Sequence, residues 1–123
     1  MNSLVSKIEV SGTKEAIAVF KKLNKQTQQK VNKAIHNAGF FIEGEAKESI
    51  AGRRAEHVSV DTGQFVQSVN TNNTRMFISQ VTSTVKHAKF LEFGTSKLKA
   101  RRHFANTAAR NKKKVSDFVL KEL

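Results

Sequence analysis

Ala16, Ile17, Phe20, Leu23, Val31, Ala34, Ile35, Ala38, Phe41, Ile42, Ala46 and Ile50 fall mainly on one stripe of a 3.6-residue period. Lys14, Lys21, Lys22, Lys25, Lys30, Lys33 and Lys47 fall mostly on the other side. The spacing predicts a long N-terminal helix buried along one face. Thr13 is placed to accept a hydrogen bond from the first free amides, and Glu15 suits the positive helix end. The stripe lapses between Leu23 and Val31, where Thr27 holds the linking position and Asn24, Gln26, Gln28 and Gln29 surround it. A bend or break is expected there, or at Gly39 or Gly44, since a mid-helix Gly costs about 1 kcal/mol relative to Ala. Gly52 and the polar run from Arg53 to His57 end the helix.

Elsewhere the period shortens. Val5, Ile8 and Val10 alternate loosely before Ser11-Gly12-Thr13, which reads as a short strand or extended arm over residues 1–12. Phe65 to Val69 and Met76 to Val85 carry β-forming residues on either side of Thr71-Asn72-Asn73-Thr74, a hairpin pattern. The facing of the second strand is open, because Phe77, Val81 and Val85 do not alternate cleanly with Ile78. Lys86 to Phe93 fits one or two helical turns that Gly94 ends, and residues 95–102 read as an exposed basic loop. From His103 the positions Phe104, Ala108, Val115, Phe118 or Val119 and Leu123 mark a C-terminal helix to about residue 120. The whole is an α+β pattern: a long N-terminal helix, bent or broken, packed on a small antiparallel sheet, with a C-terminal helix. Core candidates are Ile17, Phe20, Ile35, Phe41, Ile42, Val69, Ile78, Phe90, Phe93, Phe104, Val115 and Phe118.

With 123 residues, 38% of them apolar, the chain suits a single domain over 1–123. No apolar run approaches the roughly 18 residues of a membrane span, and Met1 to Val10 has no signal-peptide core, so a soluble protein without a classical signal is expected. The absence of Cys rules out disulfides and thiolate chemistry. The net charge of +12 changes the picture more. Lys97, Lys99, Arg101, Arg102, Arg110, Lys112, Lys113 and Lys114 fall within eighteen residues that hold no acid, whereas Glu43, Glu45, Glu48 and Glu56 cluster elsewhere. That asymmetry suits a solvated face, attraction to a polyanion, or head-to-tail attraction between copies.

Reaction chemistry finds little footing. The four His, at 36, 57, 87 and 103, show no paired metal-ligand spacing, and no phosphate-binding glycine loop is present. Asp61, Ser68, His57 and His87 lack the spacing of a nucleophile set. Asp61-Thr62-Gly63 superficially matches the aspartic-protease triplet but lacks the hydrophobic strand before it. A turn explains it better, with Asp61 or Thr62 accepting backbone hydrogen bonds and Gly63 giving backbone freedom. Glu92-Phe93-Gly94-Thr95 is expected to close a short helix and aim the basic loop, with Gly94 as the left-handed position. No metal, cofactor or catalytic residue is predicted.

Three blocks in order carry a resemblance. They are Asp61-Thr62-Gly63-Gln64-Phe65-Val66-Gln67-Ser68-Val69, then Ala88-Lys89-Phe90-Leu91-Glu92-Phe93-Gly94-Thr95, then His103-Phe104 through Ala108. In order and spacing, residues 60–108 resemble the tail-completion or head-tail joining proteins of long-tailed bacteriophages and prophages. Members of that family commonly place Pro before the Phe and before the final Ala, where this chain has His103 and Thr107. The resemblance implies a non-enzymatic virion assembly protein, assembled in the host cytoplasm and resident at the neck or proximal tail. It implies a ring, six-fold by similarity, that contacts the head-tail connector and tail-tube or tail-terminator proteins and passes DNA without sequence preference. Asp61, Thr62, Gly63, Glu92, Phe93, Gly94, Thr95 and Phe104 would then be structural, and the basic stretch would face DNA or a neighbouring subunit. The alternative is a free, non-sequence-specific nucleic-acid-binding protein that uses residues 97–114. That alternative lacks an aromatic platform or a recognition-helix motif.

Overall fold

The computed structural model describes residues 6–11, 14–55, 64–83, 92–94 and 102–123. The fold is α+β. Strand β1 (Ser6–Ser11) is followed by helices α1 (Lys14–Lys21) and α2 (Lys25–Ile50), a short helix α3 (Gln64–Ser68), strands β2 (Asn70–Asn72) and β3 (Ile78–Ser83), and helix α4 (His103–Leu120). The antiparallel sheet has the order β1-β3-β2, with Ile8 opposite Val81 and Asn72 opposite Gln80. Helix α2 lies against the sheet and α4 packs on α2.

The break in the long helix falls at Lys22 to Asn24, at the edge of the polar lapse, and polar side chains hold it there. Asn24, with extended ψ of 159°, accepts the amide of Thr27 at 2.8 Å as the N-cap of α2. The side-chain amide of Gln28 reaches back to the carbonyls of Lys21 and Leu23 at 3.0 and 2.8 Å, satisfying acceptors that the end of α1 leaves open. The helix does not bend into two at Gly39 or Gly44; α2 runs through both. Gly39 serves another purpose: a Cβ there would stand 1.8 Å from Ser79 Oγ, so the glycine lets β3 approach the helix. Helix α2 ends where Gly52, at φ 85°, donates to Ser49 and Arg53 donates to Glu48, a Schellman closure.

Residues 65–68, expected to begin a strand over 65–69, lie in α3 instead, and Val69 follows its last residue. Phe65 and Val69 are both buried four positions apart, and the Ser68 hydroxyl donates to the Phe65 carbonyl at 2.7 Å. Burial of Phe65 within the helix and of Val69 just past its end overrides their β propensity. Strand pairing begins only at Asn70. The uncertain facing of β3 resolves the same way: the strand starts at Ile78, and Ser79, Val81 and Ser83 face inward. Phe77 stands just before it at φ 63°, a costly conformation for a bulky residue. Its amide is held by Asn32 Oδ1 at 2.7 Å, and its ring, 1% exposed, lies 5.4 Å from that of Phe20.

The apolar cluster joins Ile8, Phe20, Val31, Ile35, Ile42, Ile50, Phe65, Val69, Phe77, Val81 and Phe104. Ile17, Phe41 and Val115 are half-buried against it. Three expected core residues are not in it: Ile78 is half-buried on the other face of β3 from Ser79 and Val81, and two Phe are exposed. Phe93 is 65% exposed and Phe118 is 41% exposed, the latter set edge-on to Phe41 in the last turns of α4. Phe90 and Thr13 lie outside the described residues.

Candidate functional site

The most highly organised polar cluster lies where the C-terminal turn of α2, helix α3 and residues 92–94 meet the start of α4. Helix α4 begins awkwardly, because Arg102 at its N-cap has left-handed φ 52° and makes no side-chain cap bond. Glu92 supplies the cap from ten residues upstream. Its Oε1 accepts the amide of Phe104 at 2.8 Å and its Oε2 accepts that of Ala105 at 2.9 Å, while the residue is 4% exposed. A carboxylate on two free helix amides meets both their hydrogen-bond demand and the positive helix end. Glu92 and Phe93 have helical backbone, and Gly94 follows at φ 79°, the left-handed position expected of it.

Beside the cap, His103 is fully buried and its Nδ1 shares a 2.8 Å hydrogen bond with Ser49 Oγ in the last turn of α2. Its ring lies 6.0 Å from Phe65 in edge geometry, and Phe65 stacks at 6.3 Å on Phe104. One turn on, Thr107 is also fully buried, and its hydroxyl has no hydrogen-bond partner. His103 and Thr107 occupy the two places where the resembling family carries Pro. The first is position N1 of α4, where proline's missing amide hydrogen would cost nothing. In this chain both places hold buried polar side chains, one satisfied and one not. The sequence singles out His103 by its place before Phe104, where the resembling family carries Pro, but its bond to Ser49, 54 residues away, has no sequence signal.

The acids of α2 are engaged within the chain. Glu45 forms a two-point pair with Arg54 at 2.7 and 3.2 Å, and Glu48 pairs with Arg53 at 2.9 Å. Glu43 takes Lys47 Nζ at 2.9 Å and the Thr71 hydroxyl at 2.7 Å. Arg54 holds the Glu45 carboxyl below the usual range. Burial pushes Glu43 up, but the Thr71 and Lys47 contacts outweigh it and the net direction is down.

The basic stretch does not form one face among the described residues. Lys112 lines a groove beside β1, Lys113 is exposed, and Lys114 Nζ stands 5.3 Å over the Phe41 ring. Successive helical residues point about 100° apart, which is why a run dense in sequence disperses in space. Arg110 and Arg102 are exposed. Asp61, Thr62, Gly63, Thr95, Lys97, Lys99 and Arg101 lie outside the described residues, as do His57, His87 and Glu56. Among the described residues no three His, Cys, Asp or Glu gather as a metal set, and no helix is long and apolar enough to cross a membrane.

The chain belongs to the family described as "Bacteriophage HK97-gp10, putative tail-component", which it matches over residues 14–94, from the start of α1 through Gly94. It is thus a structural tail component of the phage type. No curated protein and no solved structure matches it.

Proposed function

We propose that the chain, as a single domain, completes the phage neck: copies form a ring, six-fold by resemblance, at the head-tail interface or on top of the tail. The ring contacts the connector on one side and tail-tube or tail-terminator proteins on the other, and leaves an axial passage for DNA. The observation that carries the reading is the Glu92 cap. It makes two of the three resembling blocks, Glu92-Phe93-Gly94 and His103-Phe104, one mechanical joint. Membership of a tail-component family supports it. In this reading Asp61, Thr62, Gly63 and Thr95 shape turns and catalyse nothing.

The basic residues 97–114 would meet DNA or a neighbouring subunit. The dispersal of Lys112, Lys113 and Lys114 around α4 gives no support to a free nucleic-acid binder that uses this stretch as one surface. Deletion of the gene from its phage should yield filled heads and separate tails by electron microscopy, and complementation should restore joining. Normally joined virions from the deletion would overturn the proposal. Images of the purified chain mixed with its neighbouring neck proteins should show the ring and its symmetry.

A further inference from the structure

Helix α2 divides into two halves of different charge. Its three acids, Glu43, Glu45 and Glu48, lie in the second half, where they pair with Lys47, Arg54 and Arg53. The first half holds Lys25, Lys30 and Lys33 and no acid, and none of these lysines makes an ion pair among the described residues. Val31, Ile35, Ala38 and Ile42 turn inward to the core, which fixes the opposite side as the outer one. The exposed positions there are Lys25, Gln26, Gln29, Lys30, Lys33 and Asn37. At about 100° and 1.5 Å per residue they fall within an arc of roughly 140° along about 18 Å of helix. A fourth cation stands at the flank: His36 Nε2 donates to the Arg75 carbonyl at 2.9 Å, which holds Arg75 beside α2 with its side chain exposed.

Every side chain on this ridge donates hydrogen bonds and none is acidic. No apolar side chain is exposed on α2 from Lys25 to Asn37; Phe40 stands past that stretch. A protein partner would need apolar or aromatic anchors at the centre of the contact, whereas Lys, Arg, Gln and Asn are the side chains that meet phosphate oxygens. A set of aromatic side chains for stacking is also missing, so a single strand gains nothing here over a duplex. Helix α4 differs, because Lys112, Lys113 and Lys114 spread over about 200° of arc. The exposed Asp117 falls among them. We infer that the outer ridge of α2 from Lys25 to Asn37, flanked by Arg75, is the surface that meets the phosphate backbone of duplex DNA. The inference rests on the proposed function, since it names the face of the chain that turns to the DNA passage. Contacts to phosphate alone carry no sequence information, which suits a duplex that must move past the protein.

The test titrates the full chain into a fluorescein-labelled duplex of about 20 base pairs, read by anisotropy from about 50 mM salt upward. Two duplexes of unrelated sequence should bind alike, with a log–log salt slope of about −3 to −4, set by four cations. Lys25→Gln, Lys30→Gln and Lys33→Gln together should weaken binding about tenfold or more and make the slope shallower by about 2 to 3. The matched set Lys112→Gln, Lys113→Gln and Lys114→Gln removes the same net charge and should cost less than about threefold. Lys25→Arg, Lys30→Arg and Lys33→Arg should retain binding, and thermal melts of all three variants should show them folded. No binding by the unaltered chain, equal losses from the two glutamine sets, or a marked preference between the duplexes would each overturn the inference. Poly-glutamate bound more tightly than the duplex would give the ridge to an acidic protein and overturn it too. Head-tail joining is read separately in the deletion phage, so a failed titration beside a phage that needs the gene strikes this surface alone.

Discussion

Glu92 Oε1 lies 2.8 Å from the backbone nitrogen of Phe104, so the acid of one sequence block starts the helix of the next. With Oε2 on Ala105 at 2.9 Å, the carboxylate does the work that Arg102 at the N-cap does not. Glu92→Ala should therefore cost about 2 kcal/mol or more in urea melts, because the buried amides lose charge-assisted bonds. Glu92→Gln keeps one acceptor oxygen and should fall between. A loss below about 0.5 kcal/mol for the alanine variant would show that the start of α4 stands without this cap.

Phe104 stacks on Phe65 and is 2% exposed, so Phe104→Ala removes a ring from the centre of the same joint. The expected cost is roughly 3–5 kcal/mol, the range for emptying a buried aromatic site. Denaturant unfolding at constant m-value measures it. A loss below about 1 kcal/mol would contradict the burial.

How far the joint could be read in advance varied residue by residue. The period near 3.6 places α2 and α4, and the φ of Gly94 follows from its place after Phe93, because these depend on local pattern. The cap by Glu92 and the Ser49 to His103 bond span sequence separations that no periodicity records. Phe65 to Val69 misleads for a related reason: their β propensity is intrinsic, whereas the short helix over Gln64–Ser68 comes from burial of Phe65 and Val69 against other elements. The density of cations from Lys112 to Lys114 is visible in sequence, but the helix sends them to three different surroundings.

Thr107 offers the clearest stabilising change. Its hydroxyl is buried without a partner, and Val has nearly the same shape and helix propensity. Thr107→Val should raise stability by about 1 kcal/mol, since it removes the desolvation cost of an unmet polar atom. A decrease in thermal midpoint would mean that the hydroxyl bonds something in solution.

Acid should weaken the fold through the ion pairs of α2. Arg54 holds the Glu45 carboxyl below the usual carboxylate range, and the bonds from Thr71 and Lys47 hold Glu43 below it despite burial. A depressed carboxylate contributes stability above its unfolded pKa and loses it as pH falls through its folded pKa. Unfolding free energy should therefore be level from neutral pH down to about pH 5 as far as these groups are concerned, and then fall. Glu45→Gln should flatten that decline. An unchanged acid limb in the variant would assign the decline to other groups.

Two glycines of α2, five residues apart, should respond oppositely to the same substitution. At Gly44 an added Cβ meets nothing within 4 Å, so Gly44→Ala should stabilise by about 0.5–1 kcal/mol through helix propensity alone. At Gly39 the same atom would stand 1.8 Å from Ser79 Oγ, 2.8 Å from Ser79 Cβ and 3.1 Å from Thr71 Cγ2. A serine rotamer change could move the hydroxyl, but the Cβ contact is set by the backbone of β3. Gly39→Ala should thus push the strand from the helix and strain the Ser79 to Asn73 and Thr71 to Glu43 bonds. The expected loss is about 1–3 kcal/mol, the usual cost of overpacking, less the propensity gain. Gly39→Ala with Ser79→Gly should recover part of it, and that coupling in a double-mutant cycle is the decisive reading. Additive effects of the two changes would mean that helix and strand are not in close approach at this point.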